Sequence, residues 1–240
     1  MSYPNAVKGL KLCIIGEVID LIAAICIAVA YVISGTVIEN TNLATGDTNL
    51  IFTDGIILLV ALAMGFLSMA SLIVKLIGSY KAAKDEYSFR GAVYGLSLGI
   101  LTTVIGVLFA DNTLVSGSSS LFGEIADMFA LCMVVQGIRH LAIVSKLDDI
   151  ERRGSLVIKL ILIPYIITTI LRMIMILSDK PGMFSNISHV LIVVINIAVF
   201  VIYISYIVIS RNCLKSDRIS EAESLLNDPV LEEKNTHEVR

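Results

Sequence analysis

The chain has 240 residues, of which 56% are hydrophobic and only 16% charged; a soluble domain has roughly 45–50% and about 25%, so an ordinary water-soluble globule is excluded. The net charge of −3 comes from mixed-sign clusters without a basic block, which excludes a nucleic-acid partner. Long apolar runs fill more than half of the sequence and leave no room for a soluble catalytic domain.

A helix that crosses ~30 Å of hydrocarbon needs ~20 mainly apolar residues. The first qualifying segment is Leu12–Ser34, which carries Glu17 and Asp20. It is too long for a signal peptide, and its carboxylates argue for an uncleaved span. Residues 35–51, rich in Thr, Asn and Gly, are expected to form the longest outer connection. The second segment, Phe52–Ile77, carries Lys75 near its end and leads into a turn with Lys81, Lys84, Asp85, Glu86 and Arg90. The third, Gly91–Ala110, has Gly91, Gly95 and Gly99 four residues apart, a small-residue stripe for close approach of another helix. That helix belongs either to the same bundle or to a second copy in a homo-oligomer.

A short outer connection is expected near 111–120. The fourth segment, Leu121–Val144, opens with Glu124 and Asp127 and later carries Gln136 and Arg139. After a turn with Lys146, Asp148, Asp149, Arg152 and Arg153 comes Leu156–Leu177, with Pro164 expected to kink it. A last outer connection near 178–189 precedes the sixth segment, Val190–Ile209, which contains Asn196 as an interior candidate. Residues 1–210 thus read as a six-helix transmembrane domain and 211–240 as a flexible cytoplasmic tail, with a short helix around Ile219–Leu226. The interfacial aromatic belt falls to Tyr31, Tyr80, Tyr87, Tyr94 and Tyr206, since there is no Trp.

Charge placement orients the chain. Lys8, Lys11, Arg211, Lys215 and Arg218 join the basic turns just named on one set of connections, while Glu39, Asp47, Asp54, Asp111 and Asp179 lie on the other, with Lys180. The positive-inside rule puts both termini in the cytoplasm. The fold class is all-α: a polytopic membrane bundle of six transmembrane helices, expected in the plasma (cell) membrane. The four cysteines, Cys13, Cys26, Cys132 and Cys213, suit buried thiols rather than a disulfide framework.

The residues that carry the sharpest chemistry are two acidic pairs. Glu17/Asp20 and Glu124/Asp127 are each spaced i, i+3 and so share a helix face. A carboxylate in hydrocarbon costs on the order of 2.5–3.5 kcal/mol on insertion scales, so it marks an ion path or a paired site. Spans one and four run in opposite directions, and Gly16-Glu17…Asp20…Ala23 matches Gly123-Glu124…Asp127…Ala130. This is compatible with a three-plus-three inverted repeat. Oxygen donors from facing helices suit a hard cation, though the sequence names no metal. Alternatively the charges pin helices, with Lys11, Lys75 and Lys159 as partners for Glu17 and Asp20, and Arg172 for Glu124 or Asp127.

The arrangement resembles the calcium/manganese cation–proton exchangers of the lysine-exporter superfamily, six-helix proteins with one Glu-x-Gly-Asp-[Lys/Arg]-[Ser/Thr] motif in each of helices one and four. Glu17, Asp20, Glu124 and Asp127 stand at its acidic positions, while Ile19 and Ala126 replace the motif Gly. A second likeness is to rhomboid intramembrane serine proteases: Ser116-Gly117-Ser118 precedes span four and His189 opens span six, which implies Ser118 as nucleophile and His189 as base. The family glycines around Ser118 are replaced by Ser116 and Ser119. No complete catalytic signature, phosphate-binding loop or zinc-type spacing appears, so no catalytic residue and no cofactor is assigned. The leading reading is a secondary transporter for a cation or small solute that uses Glu17, Asp20, Glu124 and Asp127. The alternatives are a non-catalytic assembly, immunity or signalling component of the membrane, and a rhomboid-like protease.

Overall fold

The computed structural model describes residues 3–41, 48–109, 111–177 and 183–226. They form six helices, α1 (Pro4–Thr41), α2 (Thr48–Ala82), α3 (Phe89–Leu108), α4 (Thr113–Val144), α5 (Asp148–Leu177) and α6 (Met183–Leu226), with no strand among the described residues. In hydrocarbon every backbone N–H and C=O must be satisfied within its own segment, and helices do this. Among the described residues five stretches are long and apolar enough to cross a membrane: Leu62–Ala82, Phe89–Leu108, Gly117–Val144, Asp148–Leu171 and Val194–Lys215. In α1 the described apolar stretch is interrupted by Lys11, Glu17 and Asp20. The outer surface matches lipid: Phe66 and Leu108 are 75% and 73% exposed, which water would penalise.

Helix extends further than the sequence suggests at the outer end. The long connection expected at 35–51 is helical through Thr41 and again from Thr48. The one expected at 111–120 shrinks to a turn, because Asn112 caps α4: its Oδ1 accepts from the Val115 amide at 3.2 Å, relieving one of the orphan N–H groups of the first turn. Helix continues through Pro164 in α5 and through residues 211–226 in α6, so Ile219–Leu226 is a continuation rather than a separate helix. Residues 178–182, including Lys180, and the tail from 227 fall outside the described residues, as do the side chains of Tyr31, Asp54, Arg172 and His189.

The closest packings are α1 on α2 and α3 on α4, and contacts of α4 with α5, α2 with α3, α5 with α6 and α1 with α6 close the ring. Phe89, Ile138, Leu141, Ile161 and Ile207 are fully buried between them. The glycine stripe of α3 is covered from within: Gly91 lies against Met133, Gly95 against the Ala126 carbonyl and Ala130, and Gly99 against Asp127. Of the two helices the stripe could receive, one in the same bundle or one in a second copy, it receives α4 of the same chain. Two further expectations change. Tyr206 is buried and donates to the Ile150 carbonyl at 3.2 Å rather than sitting in the belt; Asn196 is exposed. Tyr80, Tyr87 and Tyr94 are exposed as expected, and Arg90 lies 4.8 Å from the Tyr87 ring centroid.

The basic connections meet at one end of the bundle. There the Asp85 carboxylate accepts from the Ala6 amide at 2.7 Å and from Asn5 Nδ2 at 2.8 Å, capping α1 from the α2–α3 turn. The α4–α5 turn closes with paired bonds, Leu147 N to Ala142 O and Lys146 N to Ile143 O, and holds Lys146 at φ 57°, where glycine is the usual residue. Asp85→Ala leaves the first turn of α1 without its acceptor, and we expect it to lower stability by about 1 kcal/mol. Equilibrium unfolding in mixed micelles checks this, and a variant as stable as the parent would show that the cap is idle.

Candidate functional site

The site begins with a close crossing. Gly9 and Gly78 meet backbone to backbone: a Cβ built on Gly78 would lie 2.7 Å from the Gly9 carbonyl oxygen and 2.9 Å from Cys13 Sγ. Two turns further along, Ser71 Oγ donates to the Gly16 carbonyl at 2.8 Å, and the Lys75 stem fills the space a Gly16 side chain would take. On α2, Ser71, Lys75 and Ser79 are spaced by four, so all three face α1, and all are buried. This delivers the Lys75 ammonium to the α1 carboxylates: Nζ lies 2.5 Å from Asp20 Oδ2 and 3.4 Å from Glu17 Oε1. Glu17 is buried and Asp20 is partly exposed.

Across from this trio, α4 contributes Asp127 to a cavity of about 150 Å³ lined by Cys13, Glu17, Asp20, Lys75, Ser79, Leu96, Asp127, Ala130, Leu131, Val134, Tyr165 and Tyr203. All six helices except α3 give it a polar side chain; α3 gives Leu96. Asp127 Oδ1 is sealed from solvent and accepts no hydrogen bond from the protein. At ~1.5 Å per residue, Glu17 lies about 20 Å from the Pro4 end of α1, and Asp127 about 25 Å from the Val144 end of α4. The cavity is thus deep within the bundle as measured from the basic end.

Comparison with protein families, curated proteins and solved structures returns no match. What the site can do must be argued from its own atoms.

Three of the four acidic residues singled out from the sequence, Glu17, Asp20 and Asp127, come together at the cavity; Glu124 is not among its lining residues. Of the three lysines offered as partners, Lys75 takes the role, while Lys11 and Lys159 are exposed. The four carboxylates are not gathered at one point: Glu124 stands apart from the cavity lining, Lys75 pairs with Glu17 and Asp20, and among the described residues no three His, Cys, Asp or Glu lie close enough together to hold a metal ion. Ser118, the nucleophile that the rhomboid likeness implies, is exposed on α4, and its neighbour Ser119 is the one that turns inward and donates to the Thr102 carbonyl. The reading from sequence missed Cys13, Ser79 and Tyr203 as lining groups. The Ser71–Lys75–Ser79 spacing on span two is a signal that could have found the polar face of α2.

A second polar cluster lies at the basic end. Gln136, expected in the interior, accepts from Arg139 Nη1 at 2.9 Å and lies 3.0 Å from His140 Nε2; His140 Nδ1 is 3.3 Å from Glu86 Oε1. It ties α4 to the α2–α3 turn and is exposed at His140.

Proposed function

We propose that this is a secondary transporter of the cell membrane, with both termini in the cytoplasm, that carries a cation or small solute through the bundle. The single observation in support is the polar cavity, which joins carboxylates of α1 in the first half of the chain to Asp127 of α4 in the second. A purely structural ion pair needs no cavity beside it, and interiors otherwise close up. Carrier sites commonly lie between two halves that rock about them. Glu17, Asp20 and Asp127 would coordinate the cargo, Glu124 would line its outer approach, and Lys75 would be the resident counter-charge of the α1 carboxylates.

The test is flux in vesicles. Protein reconstituted into liposomes with a pH-sensitive dye inside should move protons or an added cation, and Asp20→Asn together with Asp127→Asn should abolish this while the helix content is kept. Unchanged flux in the folded double variant would falsify the carboxylate site. One observation favours the alternative of a non-catalytic membrane component: Lys75 already neutralises Asp20 at short range, as a helix pin would. In that case the wild-type protein carries nothing in the same vesicles.

A further inference from the structure

We infer that His140 and Gln136 form a proton-operated switch at the basic end of the bundle, in which protonation of the ring turns the Gln136 amide over and transfers Arg139 from Gln136 to Glu151 of α5. The switch stands whether or not the cavity carries a solute. The two residues lie one turn apart on α4, and Arg139 shares their face, three positions after Gln136.

Hydrogen-bond polarity places the hydrogen on the ring. A guanidinium only donates, and Arg139 Nη1 lies 2.9 Å from Gln136 Oε1, so the amide oxygen is committed to Arg139. The amide nitrogen therefore meets His140 Nε2, at 3.0 Å. It too only donates, so Nε2 of the ring accepts and carries no hydrogen. Around Nδ1 the neighbours are acceptors. Glu86 Oε1 lies 3.3 Å away, and Ser88 Oγ, at 3.2 Å, gives its own hydrogen to Glu86. The neutral ring thus holds its hydrogen on Nδ1 and donates towards the α2–α3 turn.

A second proton, taken from solvent, breaks this arrangement. The ring is nearly half exposed, and histidine is the side chain that ordinarily changes charge between about pH 5 and 8. The proton adds to the Nε2 lone pair and leaves an imidazolium whose new N–H opposes the N–H of Gln136. Exchanging the ends of the amide restores a bond, with Oε1 now accepting from the ring. Arg139 then faces an NH2 group and loses its acceptor. A carboxylate is within reach: Arg139 Nη2 stands 3.8 Å from Glu151 Oε1, a separation that a small turn of the guanidinium closes to a hydrogen bond. Arg139 Nε is buried without a partner, and the Arg139 stem already packs against Gly154 of α5. The charged groups around the ring are Glu86 from the turn, Arg139 on its own helix and Glu151 beyond it; Arg90, in the first turn of α3, is held over the Tyr87 ring. In acid α4 is therefore tied by full ion pairs both to the turn and to α5.

The experiment is nitrogen NMR of the full chain, labelled at the His, Gln and Arg side chains, in neutral detergent micelles between about pH 8 and about pH 5. Signals lost in His140→Gln identify the ring. At the alkaline end it should be the Nδ1–H tautomer. As acid is added, the Gln136 amide and the Arg139 guanidinium should shift with the midpoint of the ring. Gln136→Glu offers an acceptor to both neighbours, so no turnover is needed, and it should raise that midpoint by about one pH unit. The transfer is read by a double-mutant cycle of Arg139→Gln and Glu151→Gln in detergent unfolding: their coupling should be about threefold larger, as an unfolding equilibrium constant, at the acid end, within the range of partly exposed pairs. An Nε2–H tautomer in the neutral ring, Gln136 and Arg139 signals that ignore the titration, or a coupling that does not grow in acid overturns the inference. Tautomer and joint titration are read on the unmutated chain, so a variant that fails to fold leaves the test intact.

Discussion

Lys75→Met should destabilise the bundle by roughly 3–5 kcal/mol, the cost of removing one member of a buried ion pair and leaving its partners behind. The side chains involved are only 11% exposed for Lys75 and 9% for Glu17, so water cannot easily take over the solvation. Asp20, at 29%, has some access and moderates the loss. Because the penalty comes from stranded charge rather than from lost attraction, it should be reversible by removing the charge: Lys75→Met with Glu17→Gln and Asp20→Asn should recover most of the stability. Unfolding by denaturing detergent in mixed micelles, followed by circular dichroism, measures both variants. A Lys75→Met protein as stable as the parent, or a triple variant no better than the single, removes the case for a charge-compensated site. The triple variant also separates the two functional readings. A helix pin is replaced by neutral hydrogen-bonding groups without consequence, whereas a carrier that has lost two cargo ligands is folded and silent.

How much of this could be seen in the letters follows from the range of each interaction. Apolar length and the side-to-side alternation of Lys and Arg are properties of contiguous sequence, and the six helices with their basic connections gathered at one end appear where expected. The acidic pairs were equally visible, since an Asp or Glu inside an apolar run stands out without any partner being known. What the letters do not carry is rotation about each helix axis. Glu124 and Asp127 share a face at the level of the i, i+3 rule, yet only Asp127 lines the cavity. Tyr203 and Tyr206 look alike as aromatic positions near a span end; the first lines the cavity and the second locks α6 to the Ile150 carbonyl. Helix ends were also misjudged, at Thr41 and Thr113, because Thr, Asn, Ser and Gly there read as loop formers although Asn112 acts as a cap. Propensity is a weak prior against capping and neighbouring helix.

Gly78→Ala is expected to cost about 1–3 kcal/mol, the usual penalty for forcing atoms into a filled space, although alanine is the better helix former by roughly 1 kcal/mol. The new methyl carbon would press on the Gly9 carbonyl oxygen at 2.7 Å, Cys13 Sγ at 2.9 Å and the Cys13 amide nitrogen at 3.0 Å, and two of these are backbone atoms that cannot turn aside. The helices must therefore move apart. Gly9 is constrained in the same way from the other side, its Cβ falling 2.8 Å from the Ala82 amide nitrogen and 2.9 Å from Ala82 Cβ. Separation at this crossing draws the Lys75 stem away from Gly16 and lengthens the contact with Glu17 and Asp20, so the packing cost and the electrostatic cost should appear together. Gly65, on the same helix, supplies the control: nothing lies within 4 Å of its added Cβ, so Gly65→Ala should be neutral or stabilising in the same unfolding assay. Equal behaviour of the two alanine variants would mean that α1 and α2 do not meet at Gly9 and Gly78, and the mechanism that brings Lys75 to its carboxylates would have to be abandoned.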